Sequence, residues 1–163
     1  MKVFKDFPTE RPVTSFLDNI ESPEDLKKLT IDELEVLADE LREYLLYSVR
    51  QTGGHFGAGL GAIEITIALH YLLDMPSDKI VWDTGHQAYP HKILTGRRDK
   101  MHLMRKIDGL AAFPSIKESE FDAMSVGHSS TSISAALGMD EASKHQKNNK
   151  NIFSVIGDGA MTA

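Results

Sequence analysis

Apolar residues return every three or four positions from Leu34 through Leu37, Leu41 and Leu45 to Val49, with Glu35, Asp39, Arg42 and Glu43 among the positions between. That spacing keeps one helix face apolar and predicts an amphipathic helix over about 31–50. Thr30-Ile31-Asp32-Glu33 marks its start with a capping-box pattern. An earlier start lies at Ser22-Pro23-Glu24-Asp25, with a capping residue, a first-turn proline and acids at the positive end of the dipole. From Leu60 to Leu73 apolar residues fall on most sides, which predicts a largely buried helix. Ser132 to His145 reads as a helix rich in small residues, begun by a Ser129–Ser130–Thr131 cap. Two apolar runs, 79–83 (Lys-Ile-Val-Trp-Asp) and 151–156 (Asn-Ile-Phe-Ser-Val-Ile), read as strands, and Met124–Val126 as a third, shorter one. Helical pieces are expected around Pro90–Leu94 and Asp99–Lys106. Helices alternating with short apolar strands predict an α/β domain with a parallel sheet. Residues 1–21 carry Pro8 and Pro12 with little periodicity and read as an irregular arm before a domain over 22–163.

Four loops interrupt this pattern. Thr52 to Gly59 holds four glycines within seven residues, unsuited to a helix interior, and reads as a loop whose backbone can approach a ligand closely. Asp83–Gln87, Gly127–Thr131 and Gly157–Ala160 each follow a candidate strand. Ligands of open α/β sheets sit at the carboxyl ends of strands, so these three loops share the expected rim.

Composition narrows the chemistry. The 163 residues, 41% hydrophobic, fit one globular domain. A formal charge of −6 argues against a broad nucleic-acid footprint. The one basic run, Lys144–Lys150, is interrupted by Gln146, Asn148 and Asn149 and reads as a solvated turn. The absence of cysteine excludes disulfides, thiolate zinc sites and a cysteine nucleophile, and is compatible with the cytoplasm. Met1–Pro12 has charges and no apolar centre, unlike a secretory signal. The most apolar stretch, Ala62–Leu73, holds Glu64 and His70 and is too short to span a bilayer, so a soluble protein is expected.

Asp158, between two glycines directly after a strand, is placed to hold a hard cation. Mg²⁺ takes oxygen ligands and binds through one or two carboxylates plus substrate phosphates. The triplet alone reads equally well as a strand-to-helix turn capped by Asp158. Gly127-His128-Ser129-Ser130-Thr131 opens a helix whose free N–H groups suit an anion; plain capping by Ser129 or Ser130 is the alternative. Ser129 lacks the Gly-x-Ser-x-Gly setting of a nucleophile elbow. Of seven histidines, His70, His102 and His145 lie in helical patterns and read as packing or surface residues. His55, His86 and His128 each directly follow a glycine in a loop, a recurrence that points to a polar site binding phosphate and moving protons. Zinc is the rival reading, but no His-x-x-x-His pair is present and Pro90 separates His86 from His91.

Gly53-Gly54-His55-Phe56, Gly59-Leu60-Gly61, the run Trp82 to Lys92, Ser125–Leu137 and Gly157-Asp158-Gly159-Ala160 together resemble the N-terminal part of the 1-deoxy-D-xylulose-5-phosphate synthase family. The similarity runs from roughly Pro8 to Ala163, and the runs 85–96 and 127–137 are long and specific. Ordinary transketolases share only the Gly-Asp-Gly and glycine–histidine themes. The resemblance implies a thiamine diphosphate-binding fold with a doubly wound, mostly parallel sheet. It implies a transketolase-like transferase that is a cytoplasmic homodimer and requires Mg²⁺. That enzyme condenses pyruvate with D-glyceraldehyde 3-phosphate to 1-deoxy-D-xylulose 5-phosphate and CO₂, for isoprenoid, thiamine and pyridoxal synthesis. By the same resemblance, Asp158 is the magnesium ligand, and Gly159 and Ala160 are diphosphate-contacting backbone. Gly127, His128 and Ser129 form a cofactor-binding loop, His86 is a cofactor-contacting histidine, and His55 lies near the reacting carbons. The family's second magnesium ligand, a downstream asparagine, its activating glutamate, and its pyrimidine-binding and C-terminal domains are not in these residues. The expectation is therefore the front part of a synthase, the 163 residues alone being inactive and at best weakly cofactor-binding. The alternative is an inert truncated fragment.

Overall fold

The structure, a computed structural model, describes residues 6–162. Residues 1–5 of the expected arm, and Ala163, lie outside the described residues. The arm's later part forms a single 3-10 turn, Leu17–Asn19, and buries Leu17 and Ile20. Glu40 holds this turn by accepting hydrogen bonds from the N–H groups of Ser15, Phe16 and Leu17 (2.7–3.0 Å). The first helix, α1 (Pro23–Leu26), starts at the expected cap residue Ser22, which forms a capping box with Asp25. Helix α2 (Ile31–Thr52) starts at Thr30, whose hydroxyl accepts from the Glu33 N–H while the Glu33 carboxylate accepts from the Thr30 N–H. Leu34, Leu37, Leu41, Leu45 and Val49 face the core, as their spacing requires.

After α2 the structure departs from the sequence reading. The glycine-rich loop ends at His55, because Phe56–Gly61 is a short helix, α3. Gly59 belongs there for packing: a Cβ would sit 3.1 Å from Leu45 Cδ2, so its absence lets α3 approach α2. The helix expected over 60–73 is split at Ala62, and its second piece is α4 (Ile63–Leu72). Only part of α4 is buried; Ile65 and Leu72 are exposed.

Strand β1 (Lys79–Asp83) pairs in parallel with a later strand, β2 (Ile152–Ile156), in register from Lys79–Ile152 to Asp83–Ile156. Between them, a 3-10 turn (Gly85–Ala88) leads into α5 (Tyr89–Lys92), a π turn and a further 3-10 turn ending at Leu103. A long irregular segment precedes α6 (Ser132–Gln146). The chain is thus mixed α/β with parallel strands. The described residues form a two-stranded sheet and not a doubly wound one. The strand expected at 124–126 does not form: the Val126 N–H donates to the Pro114 carbonyl and Ser125 Oγ accepts from the Ile116 N–H, so these residues brace a loop. β2 leads into a four-residue helix, α7 (Asp158–Met161).

A buried polar chain joins α4, α5 and the segment after Leu110. His70 Nδ1 donates to the Thr66 carbonyl (2.7 Å), His70 Nε2 lies 2.8 Å from His91 Nδ1, and His91 Nε2 donates to Asp122 Oδ1 (2.9 Å). Arg97 binds both Asp122 oxygens (2.8 and 2.9 Å), and Glu118 accepts from Arg97 and Lys92. Burial pushes the His70 imidazole down to about 3, with the nearby His91 adding to the shift. His91 is lowered for the same first reason. Burial works the other way on Asp122. Hydrogen bonds from His91 and Arg97 outweigh it and hold the carboxyl well below the usual range.

Candidate functional site

The site is built where β1 and β2 end together. Asp83, the last residue of β1, is 1% exposed and bonds to two other loops. Its carboxylate accepts from three successive backbone N–H groups: Ser130 (3.0 Å), Thr131 (3.0 Å) and Ser132 (3.1 Å). Its carbonyl accepts from the Gly157 N–H (3.3 Å) and from Gln87 Nε2, which also donates to the Val155 carbonyl (2.9 Å). Ser130 Oγ donates to the Ala160 carbonyl (2.5 Å). The 84–88, 127–132 and 157–160 loops are therefore fastened to one another at the carboxyl ends of the strands.

This changes the role of one predicted element. The N–H groups that open α6 were expected to be free for an anion, or capped by Ser129 or Ser130. No side-chain cap comes from Thr131 at the helix start, and the anion already there is the Asp83 carboxylate. A second anion at the same N–H groups would meet both a filled site and a like charge. The turn at Asp158 and the outer loop at Gly127–Ser129 take no part in this cap.

That outer rim offers open glycine backbone and one exposed carboxylate. A Cβ at Gly127, Gly157 or Gly159 would meet nothing within 4 Å, so ligand atoms can reach this backbone. Asp158 is exposed at the start of α7. Among the described residues no group of three or more His, Cys, Asp or Glu is arranged to hold a metal. One protein carboxylate completed by ligand phosphates matches the way Mg²⁺ is commonly bound. His128 is exposed, and its Nδ1 donates to the Ser129 carbonyl (2.8 Å).

His55 and His86 come together: their rings stack with centroids 4.6 Å apart. His55 ends the glycine loop before α3, and His86 lies in the turn after β1. Burial lowers the His86 pKa, and the neighbouring His55 lowers it further. A neutral His86 ring at physiological pH can take up a proton. Each of these histidines follows a glycine with no room for a side chain. A Cβ on Gly54, at φ +141°, would come within 2.9 Å of Tyr89 Oη. A Cβ on Gly85 would come within 2.7 Å of Pro114 Cδ and 2.8 Å of Phe113 Cβ. An apolar groove of about 590 Å³ between α2 and α4, lined by Leu34, Ile67, Tyr71 and Leu72, shares no residue with these loops.

Sequence reasoning grouped Asp83 with the rim loops but assigned it no role, and it missed Gln87. The available signal was a carboxylate closing an otherwise apolar strand, a costly placement unless hydrogen bonds compensate it.

The family model described as 1-deoxy-D-xylulose-5-phosphate synthase matches residues 17–163. Proteins of that name from Pseudomonas savastanoi pv. phaseolicola and Pseudomonas syringae pv. tomato are each 64% identical over 160 residues. Another, from Ectopseudomonas mendocina, is 62% identical over the same length. Each alignment covers 98% of this chain and 25% of the relative. The chain thus spans about a quarter of the length of the curated relatives it matches.

Proposed function

Because the chain belongs to the 1-deoxy-D-xylulose-5-phosphate synthase family, we propose that it builds the diphosphate- and magnesium-binding part of a thiamine diphosphate site. The reaction is condensation of pyruvate with D-glyceraldehyde 3-phosphate to 1-deoxy-D-xylulose 5-phosphate and CO₂, in a cytoplasmic homodimer. The observation that carries this reading is the fastening of three strand-end loops through Asp83, which leaves Asp158 and three unobstructed glycines on one rim. No helix among the described residues is long and apolar enough to cross a membrane.

In this reading thiamine diphosphate supplies the carbon nucleophile and electron sink of the reaction. The residues of the chain bind, orient and move protons. Asp158 would hold Mg²⁺. The backbone at Gly159 and Ala160, with Gly127, His128 and Ser129, would hold the diphosphate. The stacked pair has two duties: His86 contacts the cofactor and, neutral at physiological pH, accepts a proton, while His55 serves the reacting carbons.

The test is a segment exchange. This chain replaces the corresponding quarter of the Pseudomonas savastanoi relative, and product formation from pyruvate and D-glyceraldehyde 3-phosphate is measured. Turnover in the hybrid, lost on His55→Ala or His86→Ala, is expected. A folded hybrid without turnover, or one indifferent to both substitutions, contradicts the reading.

A further inference from the structure

We propose that Asp83 is a positioning residue for this site, acting through Ser130 to set the 127–131 loop against the Asp158 turn. The inference rests on the cofactor reading above and adds a residue which that reading does not use.

Helix starts are usually capped locally and at the surface, by a residue one turn away. Here the cap comes from 47–49 residues away and is almost fully buried. A buried carboxylate is costly, and three charge-assisted hydrogen bonds together with the helix dipole offset that cost. Capping alone does not call for this arrangement, since a hydroxyl at Thr131 would serve. What the distant cap adds is position: it locks the start of α6 to the end of β1. The same carboxylate holds the Ser130 N–H while Ser130 sits at φ +66°, a left-handed conformation that costs a non-glycine residue energy. In that conformation the Ser130 N–H reaches Asp83 and its hydroxyl reaches the Ala160 carbonyl. Ser130 is thus a strut between two strand ends, held in place by Asp83. The residues it holds are the ones the cofactor must meet: His128 and Ser129 on one side, Asp158 to Ala160 on the other.

The experiment uses the hybrid synthase of the segment exchange, its unsubstituted form serving as wild type, with Asp83→Asn, Ser130→Ala and Ser130→Gly. Two readouts are taken: amide hydrogen exchange, and binding of thiamine diphosphate at saturating Mg²⁺. The first amides of a helix ordinarily lack partners and exchange fast. In the wild type, the amides of residues 130–132 should exchange slowly. In Asp83→Asn they should speed up by about tenfold, the change expected when one charge-assisted hydrogen bond's worth of stabilisation is lost, with amides 136–143 unchanged. Cofactor affinity should fall by about tenfold on Asp83→Asn. Ser130→Ala keeps the backbone contact and loses only the hydroxyl strut; it should weaken binding while leaving amides 130–132 protected. Ser130→Gly, which relieves the strained conformation but lacks the hydroxyl, should not restore affinity. Fast exchange at 130–132 in the wild type overturns the geometry. Altered exchange with unchanged affinity overturns the positioning role and leaves the cofactor reading standing. Slow wild-type exchange without any cofactor binding overturns the cofactor reading itself, and with it the role given to Asp83.

Discussion

Removing the Asp122 carboxylate tests how the buried polar chain supports the molecule. Its side chain has no exposed surface, and it accepts four hydrogen bonds: two from Arg97, one from His91 Nε2 and one from the Ser115 N–H, all between 2.8 and 2.9 Å. Asp122→Ala leaves those four donors without this acceptor. Arg97 keeps Glu118 and Thr95, but its guanidinium stays buried with one carboxylate fewer. Breaking a buried ion pair from one side costs about 3–5 kcal/mol. For a chain of this size, that corresponds to a melting midpoint lower by roughly 10 °C. Asp122→Asn should recover less than half of the loss, because its amide group presents hydrogens to Arg97, which can only donate. Urea unfolding followed by circular dichroism measures both variants, with an unchanged denaturant slope confirming a shift in stability alone. A loss below about 1 kcal/mol for Asp122→Ala would show that the network is not a stability element. The segment from Ala111 to Ser125 would then need another anchor for Phe113 and Pro114 over Gly85.

Other outcomes follow from neighbouring features. Gly85→Ala should destabilise by about 1–3 kcal/mol in the same assay, because its methyl overlaps Pro114 and Phe113; a neutral effect would mean the loop yields freely. Stability should decline as pH falls below about 6.5. The unfolded chain then takes up a proton that the buried, depressed His70 refuses, a contribution of about 1.4 kcal/mol per pH unit down toward its folded value of about 3. Urea midpoints that are flat between pH 7 and 5 would contradict that assignment. Thr30→Ala should cost about 1 kcal/mol by removing half of the capping box of α2, measured by thermal unfolding; no change would mean that Glu33 caps the helix alone.

What the sequence made legible followed from local rules. The core face of α2 came from its spacing, and both observed strands from apolar runs closed by a polar turn. The sequence singled out His55, His86 and His128 because each follows a glycine; the structure stacks the rings of the first two, while His128 is exposed in the 127–131 loop. What was not legible depended on distant partners. α3 forms because Gly59 packs on Leu45, a contact that propensity cannot supply. The residues at 124–126 have strand-like character but bond to 114 and 116, so no strand results. The filling of the α6 start by Asp83 joins residues 47–49 positions apart, and neither end announces the other. Likewise His70 and His91 read as unrelated residues, although burial joins them through Asp122 to Arg97.

The most direct test of the central claim, that this rim holds a diphosphate through Mg²⁺ at Asp158, is a calorimetric titration of thiamine diphosphate. It is run with and without Mg²⁺ on the hybrid synthase of the segment exchange, taken as wild type, and on its Asp158→Asn variant. Asp158 is exposed at the head of α7, so the substitution leaves the fold intact. The account predicts binding that requires Mg²⁺ in the wild type and is lost, or weakened by at least about tenfold, in the variant. Equal affinity in both proteins, or binding indifferent to Mg²⁺, would contradict it.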